Sequence, residues 1–166
     1  MRYILFFLLI VLSLSGKAQS NTTENLHKKY KEALALFFYH NTLRMINQAD
    51  DQEFDALIKD VEKMKFLMIK KEDFGKGDYQ KLITDYKAES FEEMMTSRHN
   101  GKNFDVYMKD GNAKGMVVTV NDDENLYVLD IVGSIPLNKV TKLFSTIDES
   151  SEIGKRIKDF TSNHKD

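Results

Sequence analysis

Met94–Val132 reads MMTSRHNGKNFDVYMKDGNAKGMVVTVNDDENLYVLDIV. Four apolar runs, Met94–Arg98, Phe104–Lys109, Gly115–Asn121 and Leu126–Gly133, are divided by three turn signals. The signals are His99-Asn100-Gly101, Asp110-Gly111-Asn112 and Asn121-Asp122-Asp123-Glu124-Asn125. Each run has the length of a strand and each gap the length of a hairpin loop. The stretch predicts a four-stranded antiparallel meander on which the rest of the chain packs. In the run from Phe104, strict alternation sends Phe104, Val106 and Met108 inward and Asp105, Tyr107 and Lys109 outward. The last two runs are apolar at both parities, as in strands covered on both faces or covered on one and occluded by the first helix.

Upstream, Gly75-Lys76-Gly77-Asp78 is a breaker followed by an N-cap, and Tyr79, Leu82, Ile83 and Tyr86 repeat at helical spacing. Before it, Phe66-Leu67-Met68-Ile69 is a short buried strand flanked by lysines. Strand, helix, strand from Phe66 to Arg98 would form a right-handed crossover if the two strands paired in parallel. Asp50 to Met64 is the clearest helix. Asp50 and Glu53 have capping-box spacing, and Phe54, Leu57, Ile58, Val61 and Met64 form its apolar stripe.

From Glu24 to about Asn47 the periodicity is helical but imperfect, with Leu26, Tyr30, Ala33, Leu34, Phe37 and Met45 near one face. Leu36-Phe37-Phe38-Tyr39 is apolar nearly all round, so this helix is sandwiched or part of it is a strand. Gln19–Glu24 reads as a loose polar start. Downstream, Pro136 suits the first turn of a helix striped by Leu137, Val140, Phe144 and Ile147. A shorter segment follows with Ile153, Ile157 and Phe160, and then a charged end.

The first eighteen residues have the form of an export signal. Met1-Arg2 is a basic start, Tyr3–Leu14 is apolar apart from Ser13, and Ser15-Gly16-Lys17-Ala18 presents small residues to a signal peptidase. The apolar run is about 12 residues, short of the ~20 that span a bilayer. We expect cleavage after Ala18 and a periplasmic or secreted product. With no cysteine the chain forms no disulfide and cannot be a lipoprotein. No second long apolar run is present, so no transmembrane span is expected in the mature chain.

Without Arg2 and Lys17, the 24 basic residues become 22 against 26 acidic, a formal charge of −4. The two signs are interspersed, unlike the concentrated basic footprint of a nucleic-acid binder. Residues 19–166 form one domain with a core over about 51–147 and a charged tail over about 148–166. The expected class is α+β: about five strands in a mixed or antiparallel sheet, ending in the four-strand meander, with helices mainly on one face.

Phe91-Glu92-Glu93-Met94-Met95-Thr96-Ser97, then Gly101, then Phe104–Lys109 resembles the core of an uncharacterised bacterial family found in Bacteroidota, the domain of unknown function 4252. Met116–Val120, the acidic turn at Asp122-Asp123-Glu124, and Tyr127–Gly133 with the helix after it are similar to the rest of that family. The resemblance runs from about Asp51 to Ile147. It implies an exported or envelope-attached protein with no established activity, and no functional residues. Many relatives have the look of lipoproteins with a cysteine after the signal; this chain departs from them there.

No motif carries chemistry by itself. His27, His40, His99 and His164 lack metal-helix spacing. Asp122-Asp123-Glu124 lacks the spaced ligands and central glycine of a calcium loop and reads as a polar turn. Gly75-x-Gly77 has Gln80 where a dinucleotide fingerprint needs glycine, and Gly111–Gly115 lacks the lysine of a phosphate loop. Met64, Met68, Met108 and Met116 fit core positions better than a copper(I) thioether site, so no cofactor or metal is expected.

Asp130 stands out, because a carboxylate in mid-strand between Leu129 and Ile131 is costly unless solvated or paired. The leading expectation is a non-enzymatic binding or interaction protein that meets an envelope protein partner through Leu34, Phe37, Phe38 and Tyr39. One alternative is a hydrolase-like enzyme whose site is assembled by the fold from Asp130, Tyr107, His40 and His99. A second is a self-assembling structural protein. Oligomeric state is not legible.

Overall fold

A computed structural model describes residues 19–46, 52–75, 77–99, 101–111 and 114–140. The export signal, the Asp50 cap, Phe144, Ile147 and the tail lie outside the described residues. In chain order the elements are α1 (Asn21–Lys29), β1 (Leu34–Tyr39), α2 (His40–Ile46), α3 (Gln52–Ile58), β2 (Val61–Lys70), α4 (Asp78–Ala88), β3 (Glu92–His99), β4 (Lys102–Lys109), β5 (Gly115–Asn121) and β6 (Asn125–Gly133).

The predicted meander is present as β3–β6. Gly101 and Gly111 supply the positive φ, 76° and 129°, that its first two turns need. The strands form one sheet in the order β1-β2-β6-β5-β4-β3, every pair antiparallel. The class is α+β, with a sixth strand beyond the five expected. β2 and β3 do not pair: β6, β5 and β4 lie between them, so α4 carries the chain across the sheet to its far edge.

The extra strand is β1. The run Leu34-Ala35-Leu36-Phe37-Phe38-Tyr39 has no polar face to turn to water as a helix, and its aromatics favour an extended chain. It pairs along its length with β2, Leu34 opposite Met68 and Tyr39 opposite Lys63. Leu34, Phe37, Phe38 and Tyr39 therefore belong to an edge strand, not to a helix. The second correction is in β2, which starts at Val61 rather than Phe66. Val61 and Met64 match the stripe of α3, but cross-strand pairing with β6 outweighs that local periodicity.

Both faces of the sheet are covered. On one, α2, α3 and the segment after β6 bring Leu43, Phe54, Leu57, Ile58, Ile135 and Val140 onto Phe38, Met64, Phe66, Val106, Met116, Val118, Leu129 and Ile131. On the other, α1 and α4 bring Leu26, Leu82, Ile83 and Tyr86 onto Leu67, Ile69, Tyr107, Val117, Leu126 and Val128. Helices thus lie on two faces rather than mainly on one, which explains why β5 and β6 are apolar at both parities. It also corrects the outward assignment of Asp105 and Tyr107, which α4 covers. After Pro136 the chain turns helical at Leu137–Val140, with Val140 in the core and Leu137 exposed.

Gly133 ends β6 where β2 approaches most closely. Its φ is +116°, and an added Cβ would sit 2.0 Å from the Asp60 carbonyl oxygen. No side chain fits there without moving one strand off the other. Gly133→Ala should lower stability by at least about 2–3 kcal/mol, as backbone strain and steric overlap combine; a chemical-denaturation midpoint unchanged from the parent would contradict this close approach.

Candidate functional site

Antiparallel register sets residues of adjacent strands side by side, so one row can be followed across the sheet. Phe37, Lys65, Asp130, Val117, Tyr107 and Glu93 form such a row on the α1/α4 face. The next row holds Ala35, Leu67, Val128, Thr119, Asp105 and Thr96. Most polar groups buried in the sheet lie in these two rows.

Asp130 is 1% exposed. Its Oδ2 accepts the Ser20 amide at 3.0 Å. Thr23 also hydrogen-bonds the carboxylate. The Thr23 hydroxyl is 2.9 Å from the Tyr86 hydroxyl, so with its single proton on Asp130 it accepts from Tyr86. Burial pushes the Asp130 carboxyl up to about 6, against the downward pull of Thr23, Ser20 and Lys65. Beside it, the equally buried Lys65 reaches out to Glu24 Oε2 at 2.8 Å and lies 5.1 Å from the centre of the Phe37 ring. That hydrogen bond holds the Glu24 carboxyl below its usual range.

Glu89, just past α4, completes the anchorage. It accepts from the Ser20 hydroxyl at 3.1 Å, the Asn21 amide at 3.0 Å and the Thr22 amide. These amides have no partner within a helix, so carboxylates there satisfy both hydrogen bonding and the helix dipole. At the other end of α1, Asp78 accepts from the Tyr30 hydroxyl at 2.6 Å and Lys29 at 3.0 Å. Asp78 is thus the first residue of α4, with Gly77 in the cap position, and it ties two antiparallel helices together. Residues 19–24, expected to be loose, are instead a docked helix start with Ser20 as N-cap.

Asp105 anchors the second row. It accepts from Tyr79, from Thr96 Oγ1 at 2.5 Å and from Arg98 at 2.6 Å, while Tyr79 also bonds Thr119. Burial and the adjacent carboxylate raise the Tyr79 hydroxyl well above its ordinary range. Alternation placed Asp105 outside because it shows which residues share a face but not that α4 covers that face. Glu89 and Ser20 carried no local signal, since they meet across 69 residues of chain.

The residues weighed for an enzyme do not converge. His40 donates Nδ1–H to the Val61 carbonyl at 2.9 Å, at the start of α2. His99 is exposed at the end of β3. Tyr107 is buried against Tyr86, the rings 6.3 Å apart and nearly parallel. Asp130 and Tyr107 share a row but have Val117 between them. Among the described residues, no group of three or more His, Cys, Asp or Glu side chains could hold a metal ion.

Of the four contact residues, Phe38 is buried in the core, whereas Phe37 is 47% and Tyr39 59% exposed. Both exposed rings lie on the edge strand, where one side of the backbone has no neighbouring strand among the described residues.

Two outcomes follow from this polar framework. In a chain continuous through Ala18, Asp130 binds its proton more tightly folded than unfolded. Its contribution is then most favourable below about pH 4 and is lost as pH rises to about 6, by about 3 kcal/mol. The stability difference between parent and Asp130→Asn should follow that window; a pH-independent difference would contradict it. Asp105→Ala strands Tyr79, Thr96 and Arg98 together and should cost at least about 3 kcal/mol in urea unfolding; a loss below about 1 kcal/mol would mean water replaces the carboxylate.

No curated protein and no solved structure matches the chain. The family model described as a domain of unknown function, DUF4252, matches residues 32–143. The match takes in β1 through β6 and begins well before Asp51, so the edge strand is part of the shared core while α1 lies outside it. On that coverage the chain belongs to the DUF4252 family.

Proposed function

We propose that this protein is an exported, non-enzymatic binding protein of the bacterial envelope, and that β1 is where a protein partner adds a strand. The observation that carries the reading is the edge position of β1 together with the exposure of Phe37 and Tyr39. An open edge offers a row of amides and carbonyls, and alternate side chains beside it select the segment that pairs. Phe37 and Tyr39 have the same parity, so they would grip one face of the incoming strand. Met45 on the following helix is exposed as well, at 76%.

Three further features are consistent with this reading. Asp130, Asp105, Lys65 and Glu89 are all engaged in holding helices or strands to the sheet. The basic start, short apolar run and small residues of Met1–Ala18 support export. Among the described residues, no helix is long and apolar enough to cross a membrane.

Self-assembly is the second reading. β3, the other edge, carries the half-exposed Met94, and β1 of one copy meeting β3 of the next would not close.

The test is capture from envelope extract with the chain beginning at Gln19, followed by mass spectrometry. The parent should retain one stoichiometric protein that Phe37→Ser/Tyr39→Ser releases by at least about tenfold without changing the circular dichroism spectrum. Phe38 is left intact, because it belongs to the core. Equal capture by parent and variant would refute β1 as the contact. A light-scattering mass that grows with concentration would move the edge from a foreign partner to a second copy.

A further inference from the structure

Carboxylates converge on the backbone where α1 begins, immediately after the predicted cleavage point. We propose that removal of residues 1–18 creates an α-ammonium at Gln19 that serves as counter-ion to Asp130 and Glu89, so that the sheet carries a binding site for the chain's own terminal amine. The proposal rests on the export reading above for the identity of the first residue.

The geometry is tight. Backbone nitrogens of adjacent residues are about 3–3.7 Å apart. The Ser20 nitrogen is 3.0 Å from Asp130 Oδ2, so the Gln19 nitrogen lies within about 7 Å of that oxygen. Glu89 holds the next two amides and the Ser20 hydroxyl from the other side. The charged groups around this point are Asp130 from β6, Glu89 from the end of α4, Glu24 and its partner Lys28 from α1, and Lys65 from β2. Tyr86 from α4 faces it uncharged.

Lys65 gives its hydrogen bond to Glu24 rather than to Asp130, and Glu24 also meets the exposed Lys28 at 3.7 Å. Among the described residues, Asp130 and Glu89 make no ion pair of their own. An ammonium at a helix N-terminus opposes the helix dipole, but two carboxylates at this range reverse the sign of the local field. The Gln19 side chain is already packed in: its Nε2 is buried with no hydrogen-bond partner.

The test compares two recombinant chains, one beginning at Gln19 and one with a single glycine before it, which moves the ammonium out by about 3.8 Å. The Gln19 chain should melt at least about 2–4 °C higher at pH 7. Its α-amine, titrated by NMR, should lie about one unit above the ordinary 7.7–8.0. The melting difference should shrink in Asp130→Asn, or in Glu89→Gln should the former fold poorly. Equal midpoints and an ordinary amine would overturn the site. Loss of one ammonia from the intact mass would also overturn it, since cyclisation of Gln19 by attack of its amine on its own side-chain amide abolishes the charge. The mass of the chain recovered after export tests the underlying reading separately: a first residue other than Gln19 defeats the processing step, whatever the two recombinant chains do.

Discussion

A carboxylate in the middle of a central strand has to be satisfied without water, and much of this structure follows from how Asp130 is satisfied. Its neighbours in the strand ladder are Lys65 and Val117, and neither ends its need for donors. The donors come from the far end of the chain, through Ser20 and Thr23. That requirement brings α1 down on the sheet. With α1 in place, Lys65 is covered, Glu24 becomes its partner, and Tyr86 gains a hydroxyl to bond. A polar residue in this position thus specifies which helix covers the face and in which register. An apolar residue would allow many placements, because hydrophobic burial is not directional.

The two faces are stabilised by different means. The α2/α3 face is a nearly pure hydrocarbon layer. The α1/α4 face mixes aliphatic contacts with hydrogen-bonded ties, each satisfied by more than one partner. Asp78 and Glu89 sit at opposite ends of α4 and grip opposite ends of α1, so the helix pair is held at both ends. This arrangement leaves β1 as the strand with large rings in water, since α1 covers only part of its row. His27 meets Phe37 with ring centres 6.0 Å apart and Lys65 lies over the ring, yet nearly half of Phe37 stays exposed.

What was legible in the sequence was whatever a short window can encode. β3–β6 were bounded by Asn-Gly, Asp-Gly and acidic turns, and those turn residues keep their meaning in any context. The amphipathic α4 was equally local. β1 was not, because six consecutive apolar residues fit a buried helix and a strand alike, and only pairing with β2 decides between them. Val61 and Met64 were lost to helical periodicity for the same reason. For the polar framework, Asp130 was visible as a charge where charge is costly. Its partners were not: Ser20 lies 110 residues away, and nothing in the neighbourhood of either residue announces the other. Asp105 was hidden by a correct alternation combined with an unforeseen second helical layer.

The central claim is that α1 is a structural layer pinned by Asp130 and Glu89, and that β1 is the edge left open among the described residues. Residue-resolved amide hydrogen exchange on the chain beginning at Gln19 tests both parts at once. The amides of Asn21 and Thr22 should be protected nearly as well as those of β6. In β1, protection should alternate, high for amides turned toward β2 and low for those turned away. Rapid exchange throughout α1, or uniform protection along β1 in a monomer, would contradict the account.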